Sequence, residues 1–221
     1  MALHSNAPMW LLYAPSPNSS WGSAIWCKQL RLLGVLLVAL LLSMSVLICA
    51  GLIPVAHFTG ERIGITVRNE AIDVDGLYSY ENPWPIPVSQ GLSIPFPEST
   101  TRLPPATMAV EEVDLGTGRA LRELPVYWVV GKPRFAVRIS AFGSIHVRVR
   151  FTQRAATGSA TYLLTTTQPW GLPLQRGEYI LRPLDVRITG SNYSLDGQGH
   201  LSFVRERFMP EKEWSFTWHA E

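Results

Sequence analysis

Ile145-His146-Val147-Arg148-Val149-Arg150-Phe151-Thr152 alternates apolar and polar side chains without a break. Neighbouring side chains of a strand point to opposite faces, so a period of two gives one apolar face and one polar face. Ile63-Gly64-Ile65-Thr66-Val67-Arg68 follows the same rule, as do Phe135, Val137 and Ile139 and, near the C-terminus, Trp214, Phe216 and Trp218. Further strands are expected near 72–80, 88–96, 107–115, 125–130, 160–167, 178–189 and 200–208. Pro83, Pro85, Pro87, Pro95, Pro97, Pro104 and Pro105 would break a helix wherever they stood inside one. No window after residue 57 has the 3.6-residue periodicity of an amphipathic helix. Many short strands with turn residues between them predict a mostly β domain, an antiparallel β-sandwich, over 57–221.

Upstream of that domain the character changes. Residues 32–53 carry no charge and are mostly Leu, Val, Ile and Ala. About 20 such residues suffice to cross the roughly 30 Å hydrocarbon core of a bilayer as a helix. The sequence therefore predicts one N-terminal transmembrane helix at 32–53. Lys28 and Arg31 precede it, and no Asp or Glu occurs before Glu61. Basic residues beside a span stay in the cytoplasm, so the N-terminus is expected inside and the domain extracytoplasmic. Trp21 and Trp26 suit the headgroup layer on the cytoplasmic side. A cleaved signal peptide is the competing reading, but its apolar core should be only about 7–15 residues long. Residues 1–31, rich in Pro, Ser and Asn, read as a disordered cytoplasmic tail.

Cys27 and Cys49 are the two cysteines, so the domain at 57–221 has none and does not rest on disulfides. The formal net charge of +2 is small. The stretch 61–131 holds ten acidic and five basic residues, net −5, and 132–221 holds seven acidic and twelve basic, net +5. Halves of opposite sign are expected to lie against each other. Balanced charge in an exported domain argues against a nucleic-acid partner.

Two segments match without gaps. Pro83-Trp84-Pro85-Ile86-Pro87 leads to Gly91 and Ile94, and Pro169-Trp170-Gly171-Leu172-Pro173 leads to Gly177 and Ile180. Each reads as a rigid crossing whose indole covers the core edge before a new strand. A duplication would give two related β-modules, 61–131 and 132–221, with Trp84 and Trp170 equivalent and buried. The alternative is independent use of a Pro-Trp bend.

Tyr78-Ser79-Tyr80-Glu81-Asn82-Pro83 followed by Ile94-Pro95-Phe96-Pro97 resembles the VIT-type (vault and inter-α-trypsin-inhibitor) β-domain pattern. Thr161-Tyr162-Leu163-Leu164-Thr165-Thr166, Trp170, Pro173 and Phe208-Met209-Pro210 are similar to an uncharacterised bacterial family of exported, membrane-anchored β-rich proteins. Glu98 departs from the VIT-type pattern, in which Leu follows. The resemblance implies export and a β-sandwich, and no catalytic residue.

The five histidines, His4, His57, His146, His200 and His219, lack metal-ligand spacing. There is no nucleophile elbow and no phosphate-cradling Gly loop. Neither a cofactor nor a metal site is read. Asp73-Val74-Asp75-Gly76 and Asp196-Gly197 read as turns, and Asn192-Tyr193-Ser194 is a glycosylation sequon.

One constellation has the chemistry of a binding surface: Lys132, Arg134, Arg138, His146, Arg148, Arg150 and Arg154, on two neighbouring strands with no acid between. If those strands form a hairpin about Phe142-Gly143-Ser144, their polar faces make one patch for an anionic partner. Otherwise the face is solvated, or paired with Glu111, Glu112, Asp114 and Glu123. The functional expectation is an anchored envelope protein that acts by binding or assembly, with a protein partner. The alternative is an envelope enzyme with a dispersed site drawing on His146, Glu178 and Asp185.

Overall fold

The computed structural model describes residues 20–49, 55–96, 105, 107–155, 158–194 and 201–221, and it is mostly β. The N-terminal unit holds a helix, α1 (Ser20–Cys49), so residues 20–31, expected in an irregular tail, are helical. Its side chains are described over 28–44 and at 46; this stretch is uncharged after Arg31. No helix among the described residues is long and apolar enough to cross a membrane. The expected tail at 1–19 and the end of the expected span, 50–53, lie outside the described residues.

The second unit is built from β1 (His57–Val67), β2 (Ala71–Glu81), β3 (Val88–Ser93), β4 (Met108–Val113), β5 (Ala120–Glu123), β6 (Tyr127–Val129), β7 (Lys132–Ile139), β8 (Ser144–Arg154), β9 (Ser159–Tyr162), β10 (Leu174–Pro183), β11 (Val186–Ser191), β12 (Leu201–Phe208) and β13 (Trp214–Ala220), with a 3-10 segment at Thr165–Trp170. Seven strands form one sheet in the order β12-β10-β1-β2-β8-β4-β5, and β11-β13-β9 and β3-β7-β6 form two small sheets. Strands of 61–131 and 132–221 interleave in the large sheet.

One pair corrects the all-antiparallel expectation: β1 and β10 run parallel, from Gly60 opposite Arg176 to Val67 opposite Pro183. Alternation reports which face is buried and is silent on strand direction. A parallel neighbour needs only a long crossover, which the chain between β1 and β10 supplies. The region expected as one strand at 178–189 is two, β10 and β11, separated by a turn with Asp185 at φ +62°.

The buried faces of all three sheets meet in one core. Ile63, Ile65 and Val67 of β1, Val147 and Val149 of β8, and Tyr179 and Leu181 of β10 come from the large sheet. Phe135, Val137 and Ile139 of β7 and Trp214, Phe216 and Trp218 of β13 come from the small ones. Asp73-Val74-Asp75-Gly76 lies inside β2 and makes no turn. Gly76 is there because the Tyr78 ring folds back over it: a Cβ would stand 2.7 Å from the Tyr78 hydroxyl. The Asp196-Gly197 turn lies outside the described residues.

β7 and β8 do not form the expected hairpin ladder. β7 pairs with β3 and β6, and β8 with β2 and β4. Both strands commit their apolar faces to the same core, so the chain crosses from one sheet to another at Phe142, whose φ is +52°. The buried Asn82 side chain fixes that crossing. Its amide donates to Ile86 O at 2.7 Å and Ser140 O at 2.8 Å, and its carbonyl accepts from Trp84 N at 3.0 Å.

The two Pro-Trp segments are not equivalent. Trp170 is half-buried, 5.6 Å from Phe58 and 5.4 Å from Tyr80 between ring centroids, and precedes a strand of the large sheet. Trp84 is 52% exposed and precedes β3 of a small sheet. The indole of Trp84 donates to Val55 O at 2.9 Å and covers no core. Trp214→Ala should cost about 3–5 kcal/mol, the range for emptying a buried aromatic site. Trp84→Ala should cost about 1 kcal/mol or less, the scale of a single net hydrogen bond. Denaturant titration of the two variants checks this contrast.

Candidate functional site

On β1 the positions 61, 63, 65 and 67 share the inward face, which places a carboxylate, Glu61, in the core. Tyr179 of β10 donates its hydroxyl to Glu61 Oε1 at 2.6 Å. Its ring, like that of Tyr78, lies over a glycine two residues earlier: a Cβ on Gly177 would stand 2.6 Å from the Tyr179 hydroxyl. Tyr78 sits opposite Glu61 in the β1–β2 register. The Tyr78 hydroxyl shares a 2.7 Å hydrogen bond with that of Tyr162 on β9. The arrangement is a buried carboxyl ringed by tyrosines, with no cation paired to it among the described residues.

Burial pushes the Glu61 carboxyl up to about 7, against the opposing pull of the Tyr179 hydrogen bond. Burial first, and then the nearby Glu61 and Tyr78, hold Tyr80 and Tyr162 well above the usual phenol range. All four tyrosines therefore stay neutral and act as hydrogen-bonding groups.

Tyr78 and Tyr162 also line a cavity of about 220 Å³ where the large sheet meets both small sheets. Its walls are mostly apolar and aromatic, with Tyr80, Phe96, Phe151, Trp170 and Phe216 among them. Gln90 and Gln153, both buried, are polar exceptions, and Ser93 and Pro169 are exposed at the rim. The Gln90 carboxamide accepts from Val55 N at 2.9 Å. Glu61 is behind this wall and does not line the cavity.

The basic constellation does not assemble as one patch. Lys132, Arg134 and Arg138 are exposed on β7; His146, Arg148, Arg150 and Arg154 belong to β8, in another sheet. On β8 two of the arginines, Arg148 and Arg150, are paired with carboxylates. Arg150 binds both oxygens of Glu111 at 2.9 Å, and Arg148 Nε lies 3.3 Å from Asp75 Oδ1 without hydrogen-bond alignment. His146 Nδ1 is 2.9 Å from Ser79 Oγ. Burial holds His146 below the usual imidazole range, and Asp114 and Glu81 offset this only in part. Among the described residues no carboxylate pairs with Lys132, Arg134, Arg138 or Arg154.

Arg62 to Glu178 at 2.7 Å joins Arg148–Asp75 and Arg150–Glu111 as a pair linking the acidic and basic halves. His146, Glu178 and Asp185 are not gathered: β1 and β2 separate His146 from Glu178, roughly 14 Å of sheet. Asp185 lies in the turn after β10. Among the described residues no group of His, Cys, Asp and Glu could hold a metal. Asn192 of the sequon is engaged, donating to Glu213 O and accepting from Ser215 N.

No family model matches the chain, and no curated protein matches its sequence. Among solved structures, the chain is similar to a Legionella pneumophila protein described as a "putative nutrient binding protein". The TM-score is 0.53 at 12% identity, over 75% of this chain and 67% of that one. A two-domain M1 zinc metallopeptidase bound to L-arginine matches with a TM-score of 0.39 and 8% identity, over 73% of this chain and 42% of that one. The first likeness is one of fold; the second carries no argument.

Glu61 gives a pH signature. Its carboxyl titrates near 7 when folded and near its ordinary value of 4.5 when unfolded. The folded chain therefore holds the proton more tightly, and stability is fully present below about 4.5 and lost as pH rises through about 7. The loss should be on the order of 3 kcal/mol, at 1.36 kcal/mol per pKa unit. Glu61→Gln, which keeps an acceptor for Tyr179, should flatten that slope and raise the thermal midpoint at pH 8. Melting curves between pH 4 and 8 check it.

Proposed function

We propose that this chain is a membrane-tethered binding protein whose β domain holds a small apolar molecule in the cavity edged by Tyr78 and Tyr162. That cavity is the observation that carries the reading. Benzene fills an engineered apolar cavity of about 150 Å³. A volume of about 220 Å³ suits a bicyclic aromatic or compact aliphatic molecule. Aromatic walls with a few convergent polar groups are the usual make-up of a small-molecule site. The hydroxyl pair gives such a ligand one end at which to hydrogen-bond. The description of the Legionella protein as nutrient binding is consistent with this reading and does not carry it.

Tethering rests on the uncharged stretch 32–53, and orientation on Lys28 and Arg31. The domain then works outside the cytoplasm, behind the two-layered packing expected of a sandwich. A buried carboxyl near neutrality is also a mark of catalytic sites. Glu61 stands outside the cavity, however, so binding is the better-supported use of this fold.

Titration of the purified full chain with 2-naphthol, followed by the probe's fluorescence, should show saturable uptake. Ala160 lines the cavity and is buried, so Ala160→Phe should occupy the space and weaken uptake at least tenfold. Tyr162→Phe should weaken it about fivefold, the value of one net hydrogen bond near 1 kcal/mol. Equal uptake by all three proteins would contradict the reading. Separately, an alkaline phosphatase fused after Glu221 should be active; an inactive fusion would overturn the orientation.

A further inference from the structure

Three large apolar side chains stand in solvent on two adjacent loops: Trp84 at 52% exposure, Ile86 at 64% and Phe142 at 72%. These loops are built to hold them there. Asn82 ties the 82–87 loop to Ser140, Phe142 N donates to Trp84 O at 3.0 Å, and Asn82 N donates to Gly143 O at 2.8 Å. Pro83, Pro85 and Pro87 stiffen the first loop. Phe142 adopts a φ of +52°, a conformation that a bulky residue rarely takes. A rigid loop that turns Trp, Ile and Phe outward has paid for exposure that solubility alone would avoid.

Chain connectivity indicates what covers them. The segment read as the span ends at Ile53, and Val55 is two residues further, at most roughly 7 Å of chain. Both backbone groups of Val55 are held: its N–H donates to Gln90 of the cavity wall, and its carbonyl accepts from the Trp84 indole. The exposed trio is thus fastened to the point at which the chain leaves its apolar segment. Trp, Ile and Phe at that level are side chains suited to the lipid headgroup layer. The charges nearest in sequence to the two loops, Arg138 on β7 and Glu81 on β2, are of opposite sign, so charge does not select an anionic protein surface.

We infer that the 82–87 and 140–143 loops form a seat that rests in the headgroup layer of the bilayer the chain enters, holding the cavity wall at Gln90 beside the membrane. This rests on the tethering reading, and the test separates the two. The full chain, with Cys27 and Cys49 replaced by Ser, is reconstituted in phosphatidylcholine vesicles as Ile86→Cys, Phe142→Cys or Val130→Cys, each labelled with an environment-sensitive fluorophore. Val130 is 94% exposed at the far end of the eight-residue β7, roughly 25 Å away, and serves as the aqueous control.

Labels at 86 and 142 should shift to the blue and be quenched at least threefold more by lipid-borne bromine than the label at 130, with little dependence on salt. Protein that resists alkaline extraction while all three labels remain aqueous would overturn the seat and leave tethering intact. Protein released by alkaline extraction would overturn both. Blue-shifted labels without lipid quenching would mean a protein partner covers the loops, and equal quenching at 130 would mean the contact is not specific; either overturns the seat.

Discussion

Strand β1 is the constraint on which the domain depends. It pairs antiparallel with β2 and parallel with β10, so it joins the acidic first half of the chain to the basic second half in one sheet. Both neighbours cover its edges, and its inward face from Glu61 to Val67 is closed by the core. A carboxyl at the head of that face must either keep a proton or find donors. Tyr179 supplies one donor, and burial raises the proton affinity to do the rest. The glycines under Tyr78 and Tyr179 follow from the same demand, because a ring can fold back along a strand only where the residue beneath has no side chain.

The outer face of the large sheet has a different character. Its ion pairs bridge the two halves, as the opposed charges of 61–131 and 132–221 suggest, but their cations are a third to nearly two-thirds exposed. Exposed pairs contribute little to stability. They serve better to fix the register of β8 against β2 and β4. The cavity lies on the inward side, where the two small sheets meet the large one over the Tyr78–Tyr162 pair. The fastened Val55 links that cavity to the start of the domain.

Much of the β framework was legible in the residues. The alternation in β1, β7, β8 and β13 marks the buried face correctly, since period two is a local property of the strand. Strand partners were not legible. The β7 and β8 faces looked contiguous because they adjoin in sequence, yet a shared core puts them in different sheets. The parallel β1–β10 pair leaves no local mark at all. Gly76 read as a turn because glycine permits turns, whereas here it makes room for a ring. The short strand β5, with every residue exposed, has no apolar face to betray it. Of the site, Glu61 was passed over in the sequence, although it is in phase with Ile63, Ile65 and Val67. The meeting of Tyr78 with Tyr162, 84 residues apart, was not.

We propose the space between the three sheets as a ligand site. A crystal structure of the chain soaked with 6-bromo-2-naphthol tests it most directly, because bromine reports its own position by anomalous scattering. A single strong bromine peak should appear among Phe96, Phe151, Trp170 and Phe216, with the naphthol oxygen within hydrogen-bonding distance of Tyr78 or Tyr162. An empty cavity, with bromine only at the protein surface, would contradict it.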